Sequence, residues 1–76
     1  MELKKKFAMT IYRLRTQDPN LKIKRKDIAM EVGITERYYY DLEMGKKMPT
    51  LDKVEAFAKA FNMTLSEFCK LIEEQG

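Results

Sequence analysis

The chain has 76 residues, of which 45% are hydrophobic and 36% charged, and its formal net charge is +3. That length excludes a two-domain reading, since domains usually run to roughly 100–150 residues, and the apolar share excludes a disordered chain. With no His, one Cys, one Ser and three Gly, the usual nucleophile and base pairs cannot be assembled, nor can a glycine-rich phosphate loop or a zinc site, so neither an enzyme nor a cofactor or metal is expected.

Asp18 and Asn20 lack the further acidic ligands of a calcium loop. Cys69 has no cysteine to pair with, and the apolar stretch from Phe7 is broken by Arg13 and Arg15 before it reaches the length of a signal core or a span. The expectation is a cytoplasmic protein with no membrane partner and no evident small-molecule ligand. A domain this small buries only about 60–65% of the surface its unfolded chain exposes, which makes a partner subunit plausible.

Charge is unevenly placed: residues 1–26 carry nine basic and two acidic side chains, whereas residues 27–44 carry one basic and five acidic ones. This asymmetry suggests an anionic partner, nucleic acid rather than a membrane surface. For Lys4, Lys5 and Lys6 a merely solvated basic face is the competing reading.

In chain order, Leu3, Phe7, Ile11 and Leu14 recur at four, four and three, one face of a helix over Glu2 to Thr16. Gln17-Asp18-Pro19-Asn20 ends it with turn chemistry, and a loop runs to about Lys24. Ile28, Ala29 and Val32 stripe a short second helix that Gly33 closes. Thr35 has the character of an N-cap for a third helix through Tyr39 and Leu42 that stops at Gly45. Pro49-Thr50 opens a fourth, with Leu51, Val54, Phe57, Ala58 and Phe61 inward and Asn62 at its end. Thr64 and Glu67 have capping-box spacing for a fifth, with Leu65, Phe68, Leu71 and Ile72 apolar. The expected class is all-α, a compact five-helix single domain with its core over about residues 7–72.

Residues 25–44, RKDIAMEVGITERYYYDLEM, have the layout of a helix-turn-helix. Two helices crossing at a tight turn need a small side chain where they meet, Ala29, and a residue tolerant of positive φ between them, Gly33. With Ile11-Tyr12-Arg13-Leu14-Arg15, Glu43-Met44-Gly45-Lys46, Pro49-Thr50-Leu51 and Ala58-Lys59-Ala60-Phe61 followed by Asn62-Met63-Thr64, the chain resembles a lambda-repressor-like domain of the XRE/Cro family. The resemblance covers about residues 7–72. It implies sequence-specific binding of double-stranded DNA, usually by a dimer, in transcriptional control, and it implies that Arg15 pairs with Glu43. The chain departs from the family pattern in a connection about three residues longer between Arg15 and Arg25, in Arg25 where glutamine is common, and in Tyr39 where an aliphatic residue is usual.

Lys24, Arg25 and Lys26 crowd a helix start, where the macrodipole already presents positive charge, so phosphate binding explains them better than helix stability does. Phosphate contacts are also expected from Lys46, Lys47 and Tyr38, with Lys22 on the lengthened loop; Tyr38 has core-edge cover as its alternative, and cations just past a helix C-terminus are favourable without a ligand. Tyr39 is expected in the core. Thr35, Glu36, Arg37, Tyr40 and Asp41 are read as outward and base-contacting, with Arg37 on guanine and Glu36 or Asp41 on cytosine. The competing account makes Glu36 only a dipole partner at a helix start. Met9 and Met44 are read as surface or interface residues and Cys69 as a half-buried filler. Phe68, Leu71 and Ile72 are expected to form a weak homodimer interface unless they simply close the core. The alternative to a DNA-binding regulator is a protein-interaction module on the same fold.

Overall fold

A computed structural model describes residues 2–76. Five helices follow one another: α1 Leu3–Thr16, α2 Arg25–Val32, α3 Glu36–Glu43, α4 Leu51–Ala60 and α5 Leu65–Glu73. Helix α1 packs on α3 and α5, α2 on α3 and α4, and α4 on α5. The class is all-α, and among the described residues no helix is long and apolar enough to cross a membrane.

Local chemistry sets the helix ends. Gly33 (φ 84°) and Gly45 (φ 76°) adopt the left-handed conformation that a Cβ disfavours, and Asn62 does the same at φ 59°. After α3 the Gly45 N–H donates to the Leu42 carbonyl at 3.1 Å and the Lys46 N–H to that of Asp41 at 2.9 Å. After α4 the Asn62 and Met63 N–H groups reach Lys59 and Ala58 in the same pattern, at 3.0 and 2.8 Å. These are Schellman closures, which satisfy carbonyls the helix leaves open. At the start of α5, Thr64 Oγ1 accepts from the Glu67 N–H at 3.1 Å while Glu67 Oε1 accepts from the Thr64 N–H at 2.8 Å, a complete capping box.

Residues between α1 and α2 fold on themselves. Asp18 Oδ1 accepts from the Asn20 N–H at 3.0 Å, and its carbonyl accepts from the Leu21 N–H at 3.1 Å. Lys22 then takes a left-handed backbone, φ 50°.

Phe7, Phe57 and Phe68 hold the centre of the core, with Phe7 edge-on to both others at centroid distances of 5.3 and 6.1 Å. Ile11, Ile28, Ala29, Val32, Tyr39, Leu42, Val54, Ala58 and Ile72 complete it. Each large apolar side chain removed from water contributes about 1.5–3 kcal/mol.

Two expectations are corrected. Leu51, read as part of the inward stripe of α4, is 67% exposed, because as the first residue of that helix it projects beyond the core. Phe68 and Ile72, assigned to a dimer face, are 0% and 3% exposed: α5 lies between α1 and α4, so their side chains close the core of one chain. Leu71 is half-buried, as is Cys69.

Candidate nucleic-acid interface

Helix α3 begins at Thr35, whose Oγ1 accepts from the Tyr38 N–H at 3.0 Å. Successive helical residues point about 100° apart, so Tyr39, Leu42 and Glu43 turn inward together. All three are buried, while Thr35, Glu36, Arg37 and Tyr40 are exposed.

What holds α3 in place is a carboxylate with no exposed side-chain surface. Glu43 accepts from Arg15 Nε at 2.9 Å and Nη2 at 2.7 Å, from Arg25 Nε at 2.9 Å and from the Tyr39 hydroxyl at 2.8 Å. Arg15 also donates through Nη1 to the Ile23 carbonyl at 3.1 Å, which ties in the end of the long loop. One residue thus joins α1, α2 and α3. Burial pushes the Glu43 carboxyl up, but the donors Arg15, Tyr39 and Arg25 together outweigh it and hold the carboxyl below its ordinary range. The Tyr39 hydroxyl is pushed up, first by burial and then by the adjacent carboxylate, and the hydrogen bond to Glu43 raises Arg15 further. Two guanidinium groups against one carboxylate leave the cluster with a surplus positive charge.

That surplus emerges at the start of α2. Lys24 occupies the N-cap position without a capping side chain, and its own N–H donates to Asp27 Oδ2 at 3.3 Å. The Arg25 and Lys26 N–H groups, at the first two helical positions, lack intrahelical acceptors. Arg15, Lys22, Ile23, Lys24, Arg25 and Glu36 line a shallow groove between the long loop and the start of α3. Lys26 is exposed on α2, outside that lining.

Beyond the C-terminal end of α3 stand Lys46 and Lys47, which α3's closing turn carries back over the helix. Lys46 Nζ lies 5.7 Å from the Tyr40 ring centroid and the Arg25 guanidinium 5.5 Å from it, so two cations engage one ring. Lys47 Nζ lies 5.6 Å from the ring of the half-buried Tyr38.

Asp41, read as outward, is a correction. It is 8% exposed: Lys47 Nζ approaches Oδ2 at 3.4 Å and Arg37 Nε approaches Oδ1 at 3.5 Å. Helical spacing directs the residue away from the core, but the chain returning through Gly45 covers it. Arg37 keeps 81% of its side chain exposed.

Sequence reasoning missed the Arg25 link to Glu43 and the Tyr39 hydroxyl bond. The second was within reach, since residues four apart share a helix face and a buried tyrosine needs an acceptor. The first depends on how α2 crosses α3, for which the chain carries no local signal.

The assembled surface is an exposed stripe of one short helix, bearing a donor fork and a carboxylate, flanked at both ends by cations. A family model described as helix-turn-helix matches residues 11–68. No curated protein matches the chain.

Proposed function

The chain belongs to the helix-turn-helix family, a family of DNA-binding regulatory domains, and from that premise we propose that it is a sequence-specific transcriptional regulator that places α3 in the major groove of duplex DNA. The observation that supports this best is the pairing of an exposed α3 stripe, Thr35, Glu36, Arg37 and Tyr40, with cations at both of its ends. Arg37 has the fork that matches O6 and N7 of guanine, and Glu36 can accept from cytosine N4. Tyr40 packs against a thymine methyl or donates to phosphate.

Lys24, Lys26, Lys46 and Lys47 take phosphate roles, with Lys22 and Tyr38 at the edge of the same surface. Arg25 serves twice: its Nε is held by Glu43, and the exposed 37% of its side chain is accessible to a flanking phosphate. Asp41 orients Arg37 instead of reading a base.

The regulator acts in the cytoplasm as a weak homodimer on half-sites about 34 Å apart, one turn of DNA. With Phe68 and Ile72 committed to the core, Leu71 is the residue of the original three left to meet a partner.

Selection from random duplexes tests the reading. It expects an enriched G·C-containing half-site and binding at about 0.15 M salt well above non-specific strength. Absence of any enriched sequence, with binding only at low salt, rejects it and favours a protein-interaction module.

A further inference from the structure

The basic run near the start of the chain plays no part in the surface just described, and part of it borders a second one. Along α1, Lys5, Met9, Tyr12 and Arg13 follow at spacings that keep them on one outward strip. Beside that strip, the end of α3 contributes Met44 and Gly45, and between the two lies an open groove lined by Lys5, Ala8, Met9, Tyr12, Glu43, Met44 and Gly45.

Most of the groove's lining is apolar. Tyr12 is 51% and Met44 44% exposed, and Met9 is half-buried, so three large side chains adjoin along one groove. Gly45 leaves the floor open: a Cβ there would stand 3.7 Å from Lys5 Cγ and 3.8 Å from Ala8 Cβ. Methionine side chains adapt to irregular apolar partners.

Charge identifies the occupant. Lys5 forms one wall and the exposed Arg13 extends the same strip one turn beyond Met9, while the Arg15 guanidinium lies 5.8 Å from the Tyr12 ring centroid. The one acid in the lining, Glu43, is buried and already satisfied by two arginines and a tyrosine. Apart from Glu2 at its start, the strip exposes no carboxylate. A second copy of this chain that pairs two-fold through the same face brings the same positive rim and is repelled. Bare phosphate backbone has no use for an apolar floor.

We infer that this groove is a docking site for an acidic, amphipathic segment of another protein, which inserts an apolar side chain between Met9, Tyr12 and Met44 and sets its carboxylates against Lys5 and Arg13. It is a mode in which an apolar anchor supplies affinity and the charged rim supplies orientation and selectivity.

The test is a titration of the isotopically labelled full chain with three synthetic helical peptides of equal length, followed by amide and methyl resonances. One carries Glu on its polar face and Leu on the other, the second Lys and Leu, the third Glu and Ser. The Glu/Leu peptide is expected to shift Lys5, Met9, Tyr12, Met44 and Gly45, and the other two to leave them in place. Met44→Ser and, separately, Lys5→Glu are expected to weaken that binding about tenfold with helix content unchanged. The inference is overturned if the Glu/Leu peptide does not bind, if it shifts the Lys24, Lys26 and Arg37 surface instead, if the Glu/Ser peptide binds as well, or if both variants bind like the parent. It is equally overturned if duplex DNA moves the groove resonances, since the groove then belongs to the DNA surface.

Discussion

Arg15 and Glu43 meet through two parallel hydrogen bonds, Nε to Oε2 at 2.9 Å and Nη2 to Oε1 at 2.7 Å, the fork geometry that carboxylates favour. Helix α1 therefore grips the last turn of α3, and the angle at which α3 presents its outer face is fixed from behind.

Removing the carboxylate leaves two guanidinium groups facing each other where Glu43 has no exposed side-chain surface. Glu43→Gln is expected to cost about 3–5 kcal/mol in chemical denaturation, the usual penalty for breaking a buried pair from one side. Arg25→Met is expected to cost no more than about 1 kcal/mol, because a partner 37% exposed is largely screened by solvent. Equal losses for the two variants would mean that the cluster is not organised around Glu43.

Stability should depend on pH at both extremes. The Glu43 carboxyl lies below its ordinary 4.5, so its contribution is present above that value and is lost as pH falls through the lowered one. The Tyr39 hydroxyl is raised above its ordinary 10.0, so its contribution is present below pH 10.0 and is lost as pH climbs toward the raised value. Thermal midpoints should form a plateau between these limits, and Tyr39→Phe should flatten the alkaline fall and soften the acid one, since the Tyr39 hydroxyl is one of the donors that hold the Glu43 carboxyl down. An alkaline limb unchanged in that variant would assign the fall to other groups.

Base reading is separable from general affinity by two substitutions on α3. Glu36→Gln keeps length and removes charge, and it is expected to change preference at one cytosine-bearing position. A uniform gain on every duplex would instead identify Glu36 as only a dipole partner at the start of the helix. Arg37→Ala is expected to lose about 1–3 kcal/mol at one guanine position and little elsewhere. Parallel selections with the two variants supply the comparison.

Phosphate contacts are best tested where no structural bond is lost. Lys24→Ala and Lys26→Ala should each lower the slope of log affinity against log salt by about one and weaken all sequences alike. Arg25 is a poor choice for this measurement, since its truncation also disturbs Glu43. A double Lys24/Lys26 variant with the parent's slope would remove these residues from the interface.

Much of the fold could be read from local chemistry. The left-handed residues Gly33, Gly45 and Asn62 and the Thr64–Glu67 box end or begin helices where the sequence placed them. Periodicity also identified the inward side of α3, because Tyr39 and Leu42 are both buried. It could not report what another segment would lay over a side chain. Asp41 is outward by spacing yet covered by Lys47, and Phe68 and Ile72 are claimed by a core whose extent depends on how α1 and α4 meet α5. Leu51 errs in the other direction, since an apolar residue at a helix start can lie past the edge of whatever the helix covers. The reading of the long connection was incomplete for the same reason: Arg15 anchors its end through the Ile23 carbonyl, a bond between residues eight apart with no sequence pattern of its own.

On α3 the residues that build and the residues that face outward are different ones. Tyr39, Leu42 and Glu43 are spent on the interior, whereas Thr35, Glu36, Arg37 and Tyr40 contribute little to the core. Apart from the Thr35 cap, the Arg37–Asp41 pair and the cations over the Tyr40 ring, the outer stripe is therefore nearly free of the folding constraint, and Glu36 is the position where substitutions fall within the roughly 0.5 kcal/mol typical of solvent-facing sites. Under the proposed function, a lineage carrying this scaffold changes target with few compensating mutations, because the vocabulary of the outer face is written on a frame that depends on it little.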